Sequence, residues 1–256
     1  MPLLRVEKMT HYFGGLRAVH DYDLVVEPGQ IRGLIGPNGA GKTTIFNLIT
    51  GIYKPAEGNV LLENKPITGL EPNQIASRGI ARTFQNLRLW RHMTVIEHVM
   101  LARYSKIRYG LIGAFFGTPQ RHREEAGNAK IALDLLKLVG ISHLADQVVT
   151  NLPYGAQRRV ELARALAIEP KILFLDEPTA GMNPEELIQM MDIVRHVHSE
   201  LGLTIFLIEH RMKMVMELCQ IIQTLDFGQV IAEGTPEEIR NDPKVIDAYL
   251  GKEIET

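Results

Sequence analysis

Gly36-Pro37-Asn38-Gly39-Ala40-Gly41-Lys42-Thr43-Thr44 has the spacing G-x-x-x-x-G-K-[ST]. In that pattern the glycines let backbone N–H groups curl inward around an anion with no Cβ in the way. Upstream, Ile31 to Ile35 is short and mostly apolar, as a buried strand is. Downstream, Thr43 to Thr50 carries Ile45, Leu48 and Ile49 at helical spacing until Gly51 stops it. A strand, a glycine-rich loop and a helix start form an anion cradle, to which the helix dipole adds positive potential. Lys42 supplies a point charge for the β and γ phosphates, and the Thr43 hydroxyl is placed to ligate Mg²⁺. The chain is expected to bind a nucleoside triphosphate with Mg²⁺.

A second constellation lies in Lys171 to Pro178, KILFLDEP, an apolar strand ending abruptly in two carboxylates. In an open parallel sheet, ligands bind beyond the carboxyl ends of the strands. Asp176 is therefore the expected Mg²⁺ partner, directly or through water, and Glu177 the expected base for an attacking water. The next strand, Leu203 to Ile208, ends in Glu209-His210 and delivers an imidazole to the same edge, where His210 would hold or sense the γ-phosphate.

The 256 residues, 45% of them apolar, suffice for one large α/β domain, or for a core with a smaller appended unit. With 28 Lys and Arg against 30 Asp and Glu, the charge balance gives no reason to expect nucleic acid as partner. The lone Cys219 has no partner for an internal disulfide and reads as a small core residue in a reducing compartment. No apolar run approaches the roughly 20 residues needed to cross a bilayer, and the N-terminus lacks a signal-peptide core. A soluble chain that stays inside the cell is expected. The lipophilic Leu111 to Gly117, LIGAFFG, is too short to span and reads as packed or docked on a partner.

Along the chain, Leu4 to Met9 and Ala18 to Val26 alternate apolar and polar residues. Breaks at Gly14-Gly15 and Pro28-Gly29 predict antiparallel strands, with another over 59 to 67. From about Glu97 to Ile141 the pattern is helical, clearest at Ile131, Leu135 and Leu138, and predicts a helical insert. Strand and helix then alternate again through Ile172 to Leu175, Glu185 to Leu201 and Leu203 to Ile208. The run Arg211 to Gln220 reads as helical, and a hairpin from Ile221 to Glu233 turns at Phe227-Gly228. The methionines at 190, 191, 212, 214 and 216 read as core or flexible contact surface. Arg121-His122-Arg123 beside Glu124-Glu125 reads as a solvated helix face, with a permease contact as the alternative.

This order of features resembles the ATP-binding cassette family over nearly the whole chain: phosphate loop, Gln85 in TFQ after a strand, a signature segment opening a helix, strand-Asp-Glu, strand-His. The resemblance implies a P-loop, RecA-like α/β core with an antiparallel β subdomain and a helical signature subdomain, in one ATPase domain. The core and β subdomain would span 1–86 and 164–256, and the helical insert 87–163. It also implies that two cassettes sandwich two ATP molecules between the phosphate loop of one and the signature of the other. Phe13, or alternatively Tyr12, would stack on adenine. Gln85 would touch Mg²⁺ and report to a membrane partner, Gly181-Met182-Asn183 would cross the dimer interface, and the loop around Trp90 would line a groove for a permease helix.

Two departures stand out. Where the family has L-S-G-G-Q, this chain has Leu152-Pro153-Tyr154-Gly155-Ala156, so the ATP facing this signature in trans loses a hydroxyl donor. Such a contact to a charged acceptor is worth about 1.5–3 kcal/mol. Asn183 stands where aspartate is usual. The first departure favours a heterodimer, in which this subunit's phosphate loop faces a partner's serine, over a homodimer. The strings LPYGAQRRVELARAL, GIARTFQNLRLWRHMTVIEHV and VIAEGTPEEI are similar to ATPase subunits of branched-chain amino acid importers. Those work with a second ATPase, two membrane permeases and an external solute-binding protein, at the cytoplasmic face of the inner membrane. Related importers for urea or other amides, the lipopolysaccharide-export ATPase and soluble non-transport cassette proteins are the alternatives.

Overall fold

The computed structural model describes residues 1–85, 87–106 and 119–250; Leu111 to Gly117 lies outside them. Two sheets pack around the phosphate-loop helix α1 (Lys42–Ile49). The smaller has the order β2-β1-β4-β5, from β1 (Leu4–Phe13), β2 (Leu16–Val26), β4 (Glu57–Leu62) and β5 (Lys65–Pro66). The larger has the order β10-β9-β3-β8-β7-β6. Its parallel strands are β3 (Ile31–Ile35), β6 (Ile80–Arg82), β7 (Ile172–Asp176), β8 (Thr204–Ile208) and β9 (Ile221–Asp226), and β10 (Gln229–Gly234) runs antiparallel at the edge.

Strands β3, β7 and β8 are buried at every position, because both faces of the larger sheet are covered. Period-two alternation divides their side chains between two cores. Ile172, Phe174, Phe206, Ile208 and Leu34 enter the layer shared with the smaller sheet and α1. Leu173, Leu175, Ile205, Leu207, Ile31 and Ile35 enter the helical layer. Phe46 of α1 meets Phe174 and Phe206 with ring centroids 4.8 and 4.9 Å away, which fixes the phosphate-loop helix on the sheet.

The helical side comprises α3 (Val95–Ala102), α4 (Pro119–Leu138), α5 (Tyr154–Leu166), α6 (Pro184–Leu201) and α7 (Met212–Leu218). Short helices α2 (Pro72–Ser77), α8 (Pro236–Asn241) and α9 (Pro243–Leu250) complete the fold; the sequence reading had not anticipated these three.

Other differences are local. Residues 59–67 form a hairpin rather than one strand, because Glu63 and Asn64 both take positive φ, 50° and 59°, at a tight turn. Of the stripe Ile131, Leu135, Leu138, the two leucines are half-buried against the core of the helical layer. Ala132, Leu136 and Val139 are the residues with almost no exposure, and Ile131 is exposed. Helix α7 stops at Leu218, and Cys219 just beyond it is extended and buried, its thiol pushed up to about 12 by desolvation. Met190, Met191 and Met214 are core residues, and an Arg121–Glu125 ion pair runs along α4. The β9–β10 turn falls at Phe227-Gly228 as expected, with φ of 42° and 78°.

Candidate active site

Backbone proximity makes two loop glycines obligatory. Gly36 has φ 148°, and a Cβ there would lie 2.1 Å from the Leu225 carbonyl oxygen. Gly41, the N-cap of α1, has φ 103°, and a Cβ there would lie 2.8 Å from the Ala18 carbonyl oxygen. Gly36, Pro37, Ala40 and Lys42 are buried, while Asn38, Gly39 and Thr43 lie at the surface and Thr44 is half-buried. Lys42 folds back over the loop, its Nζ donating to the carbonyls of Gly36 (2.7 Å) and Pro37 (2.9 Å).

In the larger sheet β8 lies between β3 and β7, so the phosphate loop, the Asp176-Glu177 pair and Glu209-His210 emerge along one edge. Glu177 has φ 47°, a costly conformation for a side chain with Cβ, and its N–H is tied to the Ile208 carbonyl at 2.9 Å. The bend aims its carboxylate at two other expected residues. Oε2 accepts 2.8 Å from Gln85 Nε2 and lies 3.8 Å from His210 Nδ1. Gln85, Glu177 and His210 are thus one cluster.

Asp176 is buried, and its Oδ2 receives Arg82 Nη2 at 2.6 Å, a partner that sequence reading missed. Glu209, fully buried, was also missed. It accepts from the Thr179 hydroxyl and N–H and from the N–H groups of His210 (3.0 Å) and Arg211 (3.1 Å). Arg211 donates in turn to the Met182 carbonyl at 2.7 Å, which ties the Gly181-Met182-Asn183 loop to the His210 segment. A carboxylate directly before His210, at the end of an apolar strand, was the available signal. Asn183 caps α6, accepting from the N–H groups of Glu185 (3.0 Å) and Glu186 (2.9 Å).

The signature segment opens α5. Leu152 is buried, Pro153 is the N-cap and offers no side-chain hydrogen bond, and a Cβ at Gly155 would lie 2.9 Å from Glu186 Oε1, so the Glu186 side chain would have to move. One turn on, Arg158 receives no such freedom. It donates to the Phe84 carbonyl (2.8 Å), the Gln85 carbonyl, the Tyr154 hydroxyl and buried Glu161 (3.2 Å), whose carboxyl is pushed up by burial against the pull of Arg158. The signature helix and the Gln85 loop are therefore directly bonded.

Phe13 is half-exposed and packs edge-on against His11 and Tyr53, with centroids 4.8 and 5.4 Å away; neighbouring Tyr12 is equally exposed. Behind Gln85, a groove of about 440 Å³ is lined by Ile52, Arg82, Phe84, Trp90, Leu101 and Arg164 among others. Trp90 lies against the Arg164 guanidinium there, and its backbone N–H donates 2.9 Å to buried His98 Nε2.

Thr43, Gln85 and Asp176 offer oxygen donors, the set a hard divalent cation takes. Among the described residues no three His, Cys, Asp or Glu side chains form a metal cage. That donor set fits Mg²⁺, which is ordinarily held by one or two protein oxygens together with substrate phosphates.

A family model described as ABC transporter matches residues 19–180, well over half the chain. The chain belongs to the ABC transporter family. It is an ATP-binding, ATP-hydrolysing cassette. A second model, branched-chain amino acid ATP-binding cassette transporter, matches residues 229–255. The cassette is 44% identical over 251 residues to the high-affinity branched-chain amino acid transport ATP-binding protein LivG of Escherichia coli, covering 98% of each chain. It is 42% identical, with the same coverage, to the corresponding BraF protein of Pseudomonas aeruginosa. A nucleotide-free ATP-binding cassette from an ABC transporter superposes with a TM-score of 0.84 at 35% identity, over 97% of this chain and 99% of that one.

Proposed function

We propose that this cassette powers import of branched-chain amino acids, working at the cytoplasmic face of the inner membrane with a second cassette subunit and two membrane permeases fed by a solute-binding protein. The observation that carries the coupling mechanism is the Gln85–Glu177 hydrogen bond: the hydrolytic carboxylate and the loop bordering the Trp90 groove are one unit. The full-length likeness to LivG and BraF supports the solute. The helical insert of about residues 87–163 would carry the docking groove and the signature.

Phe13, or Tyr12, stacks on adenine, and Gly36 to Thr44 wrap the phosphates. Lys42 exchanges the carbonyls of Gly36 and Pro37 for phosphate oxygens, a swap of neutral acceptors for charged ones. Thr43, Gln85 and Asp176 hold Mg²⁺, which supplies charge neutralisation at the phosphates when bound. Glu177 orients and deprotonates the attacking water, and His210, 3.8 Å from it, contacts the γ-phosphate. In trans, Leu152, Pro153, Tyr154 and Gly155 close over the partner's ATP through backbone N–H groups and the α5 dipole. A permease helix seated against Trp90 feels these events through Gln85.

Uptake of labelled leucine, isoleucine and valine by cells lacking this subunit is the test. Loss of uptake, restored by the wild-type chain and not by a Lys42→Ala variant, is expected. Undiminished uptake of all three with loss of urea uptake would assign the other solute class.

A further inference from the structure

Arg82 touches both the groove and the carboxylate expected to hold the cation. It stands at the end of β6, three residues before Gln85, and lines the groove beside Phe84 and Trp90. Its guanidinium lies between the Phe46 and Phe84 rings, 5.5 and 5.1 Å from their centroids. One arm, Nη2, holds Asp176 Oδ2 at 2.6 Å. The other, Nη1, donates to Asn47 Oδ1 at 2.7 Å, on the helix that begins at Lys42, and to the hydroxyl of Thr50, its C-cap, at 3.1 Å. Nε is buried without a hydrogen-bond partner.

We propose that Arg82 is a positioning residue that couples the docking groove to the cation site through Asp176, independently of Gln85. The proposal rests on reading the groove as a permease dock and Asp176 as a Mg²⁺ ligand, and it adds a second connection between them. A planar fork that grips one carboxylate oxygen fixes the rotation of the carboxylate, and with it the direction of the other oxygen. Because the same guanidinium packs under Phe84, pressure on the groove shifts the fork. Thermodynamic reciprocity then requires that cation binding at Asp176 be felt in the groove. Trp90, the single tryptophan of the chain and 53% exposed in that groove, reports it.

The test uses the purified protein, with Arg82→Gln and Arg82→Lys beside wild type and thermal melts to confirm folding. ATP binding is measured by calorimetry with EDTA and with excess Mg²⁺, and Trp90 fluorescence is recorded as Mg²⁺ is added to the ATP-bound protein. Affinity in EDTA is expected to be unchanged. The gain in affinity produced by Mg²⁺ should fall about tenfold in Arg82→Gln and less in Arg82→Lys, the size of effect typical when a ligand's hydrogen-bonded support is removed. The Mg²⁺-dependent change in Trp90 emission should be present in wild type, persist in Gln85→Ala and vanish in Arg82→Gln. An equal Mg²⁺ gain in all three proteins, or a Trp90 response that survives Arg82→Gln, would overturn the proposal. If instead the Arg82 effects hold while cross-links from Trp90 reach no permease, the coupling residue stands and the docking assignment falls.

Discussion

Gln85 Nε2 donates a 2.8 Å hydrogen bond to Glu177 Oε2, joining the loop beside the Trp90 groove to the carboxylate proposed to activate water. Since Arg158 of the signature helix holds the carbonyls of Phe84 and Gln85, three segments distant in sequence share one set of hydrogen bonds.

The phosphate loop makes a sharp distinction between two of its glycines. At Gly36 an alanine Cβ would meet the Leu225 carbonyl, whereas at Gly39 (φ 81°) the space is open. Gly36→Ala is expected to abolish ATP binding by calorimetry. Gly39→Ala, carrying only the left-handed backbone penalty of about 1–2 kcal/mol, should still bind.

Arg158 and Glu161 are both almost wholly buried as an ion pair at 3.2 Å. Removing one partner strands the other charge, which costs about 3–5 kcal/mol. Arg158→Ala should therefore lower Tm on the order of 10 °C for a domain of this size. The double variant Arg158→Met, Glu161→Leu should lose less in the same melt.

His98 gives the segment carrying Trp90 a pH dependence. Its Nε2 accepts the Trp90 N–H, so Nδ1 must be the donor to the Thr94 carbonyl, and the ring is held neutral. Burial, with a smaller contribution from the Arg164 cation, lowers its pKa against the opposing pull of the Thr94 carbonyl and Glu97. A folded-state pKa below the ordinary imidazole value means that the stabilisation is complete above that value and is lost as pH falls through the folded one. Melting wild type and His98→Gln from pH 8 to pH 5 should show a steeper acid loss in wild type.

Pro153 is proposed to bias the choice of partner. If the missing hydroxyl is what disfavours self-pairing, Pro153→Ser restores a donor worth about 1.5–3 kcal/mol, or roughly 10- to 100-fold in an equilibrium. A symmetric dimer holds two such contacts, so ATP-dependent dimerisation of the purified Pro153→Ser, Glu177→Gln protein should strengthen by about the square of that factor, roughly 100- to 10,000-fold, over Glu177→Gln alone in sedimentation equilibrium.

The parts of this molecule that were legible in sequence are those where chemistry is carried by adjacent residues. The phosphate loop, the strand ending in Asp176-Glu177 and the strand before His210 each mark a candidate within ten positions, and parallel topology brings their ends together. Partners supplied by distant strands were not legible. Arg82 reads locally as a strand residue before TFQ, and nothing nearby signals that it grips Asp176, 94 positions on. Glu209 was visible as a carboxylate but not as the acceptor that ties Thr179 to His210, since that depends on how β7 and β8 align. On α4 the apolar residues covered more than one face, so periodicity chose the flank carrying Ile131 over the face carrying Ala132 and Leu136.

The most direct measurement compares Glu177→Gln with wild type for ATP binding and for single-turnover hydrolysis in the assembled transporter. The amide keeps the size of the side chain and an oxygen to accept the Gln85 N–H, but it takes no proton from water. ATP affinity within a few-fold of wild type, with turnover nearly abolished, is the expected result. Hydrolysis at the wild-type rate would contradict the assignment of Glu177 as the base and, with it, the coupling through Gln85.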